Sequence, residues 1–439
     1  MLKRKIYGQL LQWKSRSDKK SLMLYGARQV GKTYTVREFG KNEYRSFIEL
    51  NFIEDPDLKR IFEGDLSAQS IYKKITASVD GAELIPHNTL IFFDEIQTCG
   101  GARTALKFLT QDGSYDVIGS GSLLGLTYAE DADSDVEEVA SVPVGYEEHL
   151  TMYPLDFEEF LWALGFGDAQ INILREYFES SANPPEVINR KYAELFREYI
   201  VVGGMPQVVS DYAAHRDFTR VNALQTSILD TYRADISKHA KGAEKTKVRA
   251  CYDAVPRQLA KELKKFQYST VEKGKTSKKY GGSIQWLKDS AVVDVCYNIS
   301  EPYIPLVANE KEEQFKLYVN DSGLLCCMYG FETKKGILNG TLKGNAKGGI
   351  YENVIAGSLV RKGYTLHYFK PDDNHELEFL IESDGEVVPI EVKSGNNSTV
   401  SLNSFIEKYA PKTAYKLIDG GVGRKDCLKI LPHYMVMFL

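Results

Sequence analysis

The 439 residues exceed what one hydrophobic core ordinarily organises and predict two to four domains. With 43% hydrophobic and 26% charged residues the composition is globular, and a formal net charge of -5 excludes a uniformly basic nucleic-acid binder, so any such contact needs a local patch. No apolar run approaches the roughly 18–20 residues that cross a bilayer, the N-terminal stretch MLKRKIYGQLLQWKSRSDKK lacks the apolar middle of a secretory signal, and the six cysteines (99, 251, 296, 326, 327 and 427) show no zinc spacing; a cytoplasmic chain without membrane attachment is expected.

The first motif is SLMLYGARQVGKTYT at 21–35, where a short apolar strand runs into a glycine loop and then a helix-compatible stretch. Gly26-x4-Gly31-Lys32-Thr33 is a full Walker A spacing. Glycines let successive backbone N–H groups wrap a phosphate at a helix N-terminus, so Gly26, Ala27, Arg28, Gln29, Val30 and Gly31 are expected to cradle ATP. Lys32 would hold the β- and γ-phosphates and Thr33 would bind Mg²⁺. TLIFFDEIQ at 89–97 reads as a buried parallel strand ending in acids, with Asp94 orienting the Mg²⁺ shell and Glu95 polarising the attacking water. Two further strands are predicted, in YRSFIELNF at 44–52 and YDVIGSGSLLG at 115–125; the second places Ser120 and Ser122 at a strand end, where Ser122 is a candidate γ-phosphate sensor or a turn residue. Arg28, Arg103 and Arg233 are all candidates for an arginine finger.

AEDADSDVEE at 129–138 is read as a solvated acidic loop. From MYPLDFEEFLWALGF to about residue 240 the pattern is helical, with Leu155, Phe157, Phe160, Leu161 and Leu164 at helix spacing, interrupted by GGMP at 203–206, a tight turn or a hinge. Residues 245–300 read as a winged helix: two helical pieces, then the strand AVVDVCYNI. Between them, residues 261–279 hold seven lysines against two glutamates, interleaved with Phe266 and Tyr268 and followed by Tyr280. Lys264, Lys265, Lys278 and Lys279 are candidate DNA or RNA contacts with aromatics stacking on bases; the alternative is a lysine-rich solvated loop.

Near the C-terminus, HELEFLIESDGEVVPIEVKSG at 375–395 centres a hairpin on Asp384-Gly385, a preferred two-residue turn. The register then sets Ser383 against Glu386, Glu378 against Glu391 and Glu376 against Lys393, with the polar groups on one face. Two carboxylates about 5 Å apart at Cβ repel unless a cation stands between them, so Glu378 and Glu391 are candidate ligands of a second divalent metal, with Lys393 beside them. This is the arrangement of PD-(D/E)xK nucleases, and Glu352 in GGIYENVIAGSL matches the upstream acid of that pattern. Glu378 departs from it, because aspartate ordinarily stands there; the longer side chain fits the strict octahedron of Mg²⁺ poorly.

Taken together, GARQVGKT, IFFDEIQ, GSGSLLG, SVPVGYEEHLTMYPLDFEEFL, YIVVGGMPQVV, TYRADISKHA, FKLYVNDSGLL, GGIYENVIAGSL and PIEVKSG resemble the bacterial and archaeal AAA+ type P-loop ATPases with a C-terminal nuclease-like domain of unknown function (domain of unknown function 4143). The resemblance implies a multidomain α/β chain: an additional-strand ATPase core, a helical lid and a restriction-endonuclease-like C-terminal domain. The expected divisions are 1–155, 156–240, 241–310 (the winged-helix-like part) and 311–439. The expected function is Mg²⁺-dependent ATP hydrolysis on or near nucleic acid, with weak or absent nuclease activity. An ATP-switched scaffold for a protein partner, or a remodeller working as a homo-oligomer, is the competing expectation.

Overall fold

The computed structural model describes residues 2–121, 144–239, 242–271, 277–395 and 399–439, with backbone alone at 237–239, 242–243 and 277–279. Ser122 and the acidic run at 129–138 lie outside the described residues, and nothing is said of the side chains of Lys278 and Lys279. The chain divides into two compact units, residues 3–153 and 154–439 with the first two residues.

In the first unit, β1 (Ser21–Tyr25), β2 (Ser46–Asn51), β3 (Thr89–Asp94), β4 (Asp116–Ser120) and β5 (Glu147–Thr151) form a wholly parallel sheet in the order β2-β3-β4-β1-β5. Every residue of β1 and of β3 is buried, as continuous apolar strands require when helices cover both faces of a sheet. Phe52, Phe62 and Phe93 pack below it, with Phe62 edge-on to Phe93 at 5.2 Å. Such fully buried aromatics each contribute about 1.5–3 kcal/mol. β4 lies between the glycine-loop strand and the acid-tipped strand, which is the additional strand that the resemblance implies. β5, EEHLT, was not among the predicted strands; only partly buried, it lacks the apolar run that marks the others.

The second unit begins with helix Phe157–Ala163, closed by a capping box in which Asp156 and Glu159 bond each other's backbone N–H at 2.9 and 3.1 Å. GGMP is the tight turn between helices Glu186–Val202 and Pro206–His215, with Gly203 at φ +75°. A Cβ on Gly204 would lie 2.1 Å from the Leu155 carbonyl oxygen, so only glycine fits. The buried Asp321 carboxylate accepts the N–H of Gly204 at 2.5 Å and that of Leu324 at 2.9 Å, tying this turn to the start of helix Ser322–Tyr329.

An eight-stranded mixed sheet follows, built from β6 (Val293–Ile299), β7 (Glu310–Val319), β8 (His367–Phe369), β9 (Leu377–Ser383), β10 (Glu386–Lys393), β11 (Ala414–Ile418), β12 (Gly423–Lys425) and β13 (Leu428–Pro432). Its order is β12-β13-β11-β10-β9-β8-β6-β7. The helix, helix and strand expected over 245–300 are present, but the strand is not a wing. As β6 it pairs antiparallel with β7 and parallel with β8, so the expected division at 310 falls between two hydrogen-bonded strands. AVVDVCYNI buries Val292, Val293, Cys296 and Ile299, and a strand so covered leaves backbone N–H and C=O groups that β7 and β8 pair on its two edges.

Candidate functional site

The glycine loop is shaped by three positive-φ positions, Gly26, Gln29 (φ +64°) and Gly31, and by one close approach. Gly26 has φ +146°, and a Cβ there would meet the Met152 carbonyl oxygen at 2.2 Å; Gly31 has φ +97° and opens helix Lys32–Glu43. Ala27 and Val30 are buried beneath the loop, while Arg28 is half-buried. Lys32 Nζ donates to the Gly26 and Ala27 carbonyls at 2.9 Å each, so it lies over the loop's own curve.

Because β2, β3 and β4 are parallel and adjacent, their C-terminal ends meet at one edge, and Asn51 stands in register with Asp94. Thr33 Oγ1 donates to both Asp94 oxygens at 3.1 and 2.9 Å, Asn51 Nδ2 donates to Oδ2 at 3.2 Å, and Ser120 Oγ bonds Oδ1. All three donors are uncharged. Burial pushes the Asp94 carboxyl above its usual range, and the bonds from Ser120 and Thr33 oppose that only in part. Glu95 follows in a left-handed conformation (φ +55°) and accepts a hydrogen bond from Gln97 Nε2 at 2.5 Å. Gln97 is packed so tightly that a Cβ on Gly121 would meet its Oε1 at 2.3 Å.

Sequence reasoning brought together Lys32, Thr33, Asp94 and Glu95. It missed the roles of Asn51 and Gln97 and left Ser120 as one of two serines; the only signal was that each stands at or just past the end of a parallel strand. Of the arginine-finger candidates, Arg103 is buried in an ion pair with Glu147 at 2.5 Å. Arg233 is engaged with Asp253 at 3.0 Å.

The second unit carries the expected hairpin. β9 and β10 pair with Glu386 against Ser383, and so on to Ile390 against Phe379, the predicted register, whose continuation sets Glu391 opposite Glu378. Glu378 and Glu391 are buried, as is Glu352 of helix Asn345–Arg361. Each already has an ammonium. Lys393 Nζ lies 3.1 Å from both Glu378 and Glu391, and Lys264 Nζ lies 2.7 Å from Glu352. Lys316, fully buried on β7, is 3.7 Å from Glu352 and 2.6 Å from Glu376, which also has Lys370 at 3.7 Å. Burial pushes the Glu391 carboxyl up to about 7 and raises that of Glu378, with the Lys393 charge opposing both. Lys393 takes one oxygen each of Glu378 and Glu391, and Lys264 one of Glu352. Glu378 Oε2 accepts the Val392 N–H at 3.2 Å, and Glu391 Oε2 is buried without a hydrogen-bond partner among the described residues. As it stands the donor set is compensated by ammonium groups and does not fit a divalent ion. Among the described residues no group of three or more His, Cys, Asp or Glu is arranged to hold a metal.

The lysine-aromatic reading of 261–279 is corrected on two points. Lys264 belongs to the carboxylate cluster, with its side chain 15% exposed, rather than to a free basic surface. Phe266 and Tyr280 are each 2% exposed, and Phe266 stacks on Phe315 at 5.6 Å, so these rings serve packing and present no face to a base. Lys265 is half-buried.

Fold and site together define the first unit as a P-loop ATPase domain of the additional-strand kind. The family model described as AAA domain matches residues 18–161, a domain of unknown function (DUF8612) matches 193–335, and a domain of unknown function (DUF4143) matches 347–431. The chain thus joins an AAA domain, near its N-terminus, to a C-terminal DUF4143 domain. Among curated proteins none matches its sequence significantly. Solved structures similar to it include the Walker-type ATPase PABY2304 of Pyrococcus abyssi, at 12% identity and TM-score 0.45 over 75% of this chain and 96% of that one. The Aeropyrum pernix ORC1 protein in complex with DNA is similar at 14% identity and TM-score 0.29, over 77% and 91% of the two chains. Superpositions this loose transfer no function. Among the described residues no helix is long and apolar enough to cross a membrane.

Proposed function

We propose that the protein hydrolyses ATP with Mg²⁺, and that the nucleotide cycle governs how its second unit engages a polyanion such as DNA or RNA without cutting it. The observation that carries the first part is the Thr33–Asp94 pair: a hydroxyl and a buried carboxylate within 3.1 Å, the carboxylate accepting from the uncharged side chains of Thr33, Asn51 and Ser120. That set fits Mg²⁺, which would neutralise charge on the β- and γ-phosphates. The loop N–H groups bind phosphate, Lys32 turns from the loop carbonyls to the γ-phosphate, and Glu95, aimed by Gln97, orients and deprotonates the attacking water.

The second part is supported by an open cleft of about 470 Å³ whose lining includes Lys264, Lys343, Lys347 and Lys393 with Glu352 and Glu378. Lysines at its mouth suit a phosphate backbone, while the ion-paired carboxylates below favour binding over cleavage. Phosphate-release assays test the ATPase: Glu95→Gln should keep ATP binding and lower turnover about 10²–10⁴-fold. Turnover unchanged in that variant would remove Glu95 from the mechanism. Gel shifts with single- and double-stranded nucleic acids test the cleft. Lys343→Glu with Lys347→Glu should abolish binding at low salt, and binding that persists would move the contact elsewhere.

A further inference from the structure

The carboxylate cluster lacks the vacancy that its motif leads one to expect, and the residue filling it comes from outside the motif. Glu376, Glu378 and Glu391 are carried by β9, β10 and the residue before β9, Glu352 by a helix, and Lys316 and Lys393 by strands of the same sheet. Lys264 comes from outside the sheet and its flanking helix, in an irregular stretch just after helix Gly242–Leu259. Its place there is fixed from both sides. Downstream, the Phe266 N–H donates to the Phe315 carbonyl at 2.7 Å and its ring stacks on Phe315; upstream, Gln258 Nε2 donates to the Gln267 carbonyl at 2.9 Å, closing the loop on itself. The ammonium so delivered sits 2.7 Å from Glu352 in the wall of the cleft that also holds Glu378 and Lys393. Four carboxylates (352, 376, 378, 391) then face four ammonium groups (264, 316, 370, 393), each within 4 Å of at least one carboxylate.

We propose that Lys264 is a tethered counter-ion that stands where a divalent cation would bind, so that the Glu352–Glu378–Glu391 cluster is closed to metal in the native chain and becomes a divalent-cation site when that one charge is removed. Lys264 is the replaceable member: Lys316 is fully buried and Lys393 spans two carboxylates, whereas Lys264 borders the open cleft and holds Glu352 alone. A divalent ion entering beside Glu352 would gain the charge that Lys264 had supplied, with Glu378 and Glu391 near at hand.

The test is Mn²⁺ titration of the full, nucleotide-free chain by calorimetry, with thermal melts in parallel. Any metal taken by the P-loop unit is common to all variants and cancels in the comparison. Lys264→Met, which keeps the aliphatic stem, should bind one Mn²⁺ more per chain than wild type, at least about tenfold tighter than any wild-type site sensitive to Glu391, and should melt higher with Mn²⁺. Adding Glu391→Gln to it should abolish the gain, and Lys264→Arg should show none. A folded Lys264→Met with unchanged stoichiometry would overturn the proposal. The wild-type arm stands even if that variant fails to fold: a wild-type Mn²⁺ site lost in Glu391→Gln would show that Lys264 does not hold the place. No nucleic acid is present in the titration, so the outcome is independent of the polyanion reading above.

Discussion

Asp94 and Glu378 are both buried acids at strand ends or edges, both belong to motifs associated with divalent metals, and their surroundings treat them in opposite ways. Around Asp94 the hydrogen bonds come from a threonine, a serine and an asparagine, which orient the carboxylate and bring no cation to it. Around Glu378 and its neighbours the partners include lysines, which cancel charge. The first arrangement invites a cation, while the second has one built in. An acidic motif therefore says where negative charge is gathered, and only the donors packed against it say whether the charge remains available.

That contrast can be broken most directly at Lys316. Removing one member of a buried ion network leaves the others uncompensated, at a cost of roughly 3–5 kcal/mol. Lys316→Met should lower the urea midpoint of the second unit by a corresponding amount. A loss near zero would mean that water reaches Glu376 and Glu352, and that the cluster is not the closed system its distances describe.

A second lever is pH. His433 is buried, bonds the backbone of Lys393 and is held at about 3, first by burial and then by the charge of Lys347. Its folded value lies below its ordinary 6.5, so the unfolded chain takes up a proton first. The neutral ring's contribution is complete above pH 6.5 and is lost as pH falls from there toward 3. Between pH 6.5 and 5, stability measured by denaturant should fall by up to about 1.4 kcal/mol per pH unit from this group, and His433→Gln should flatten the decline. An unchanged slope would show that the ring reaches solvent when protonated.

The smallest effect is expected at Asp94 itself. With uncharged partners and a carboxyl already raised by burial, Asp94→Asn should change stability by less than about 1 kcal/mol while removing the Mg²⁺ dependence of turnover. A loss as large as that of Lys316→Met would reveal a charged partner at the P-loop and erase the contrast.

Much of this was legible in the residues. The Walker spacing, the apolar strand into Asp94 and the turn chemistry of Asp384-Gly385 each follow from local rules, and each local rule agreed with the fold around it. What could not be read was pairing at long range. Nothing near Lys264 points to Glu352, eighty-eight positions away by their numbers, and the interleaving of Phe266 with lysines looks the same whether the ring stacks on a base or, as here, on Phe315. Strand β6 was misassigned for a related reason: its apolar pattern shows that it is covered, and which strands cover it is decided by β7 and β8. Asn51 and Ser120 gained their place only through the parallel register that sets three strand ends level.

The Asp321 clamp on Gly204 has a consequence for how this chain can be cut and inherited. One carboxylate fastens the turn at 203–204 to the helix at 322–329, so a truncation anywhere between them would strand a buried acid and open a turn that tolerates no side chain. Deletions and domain exchanges should therefore respect the whole span from the turn to that helix. The DUF8612 match runs from 193 to 335 and encloses both ends of the clamp, as a heritable unit of this kind would.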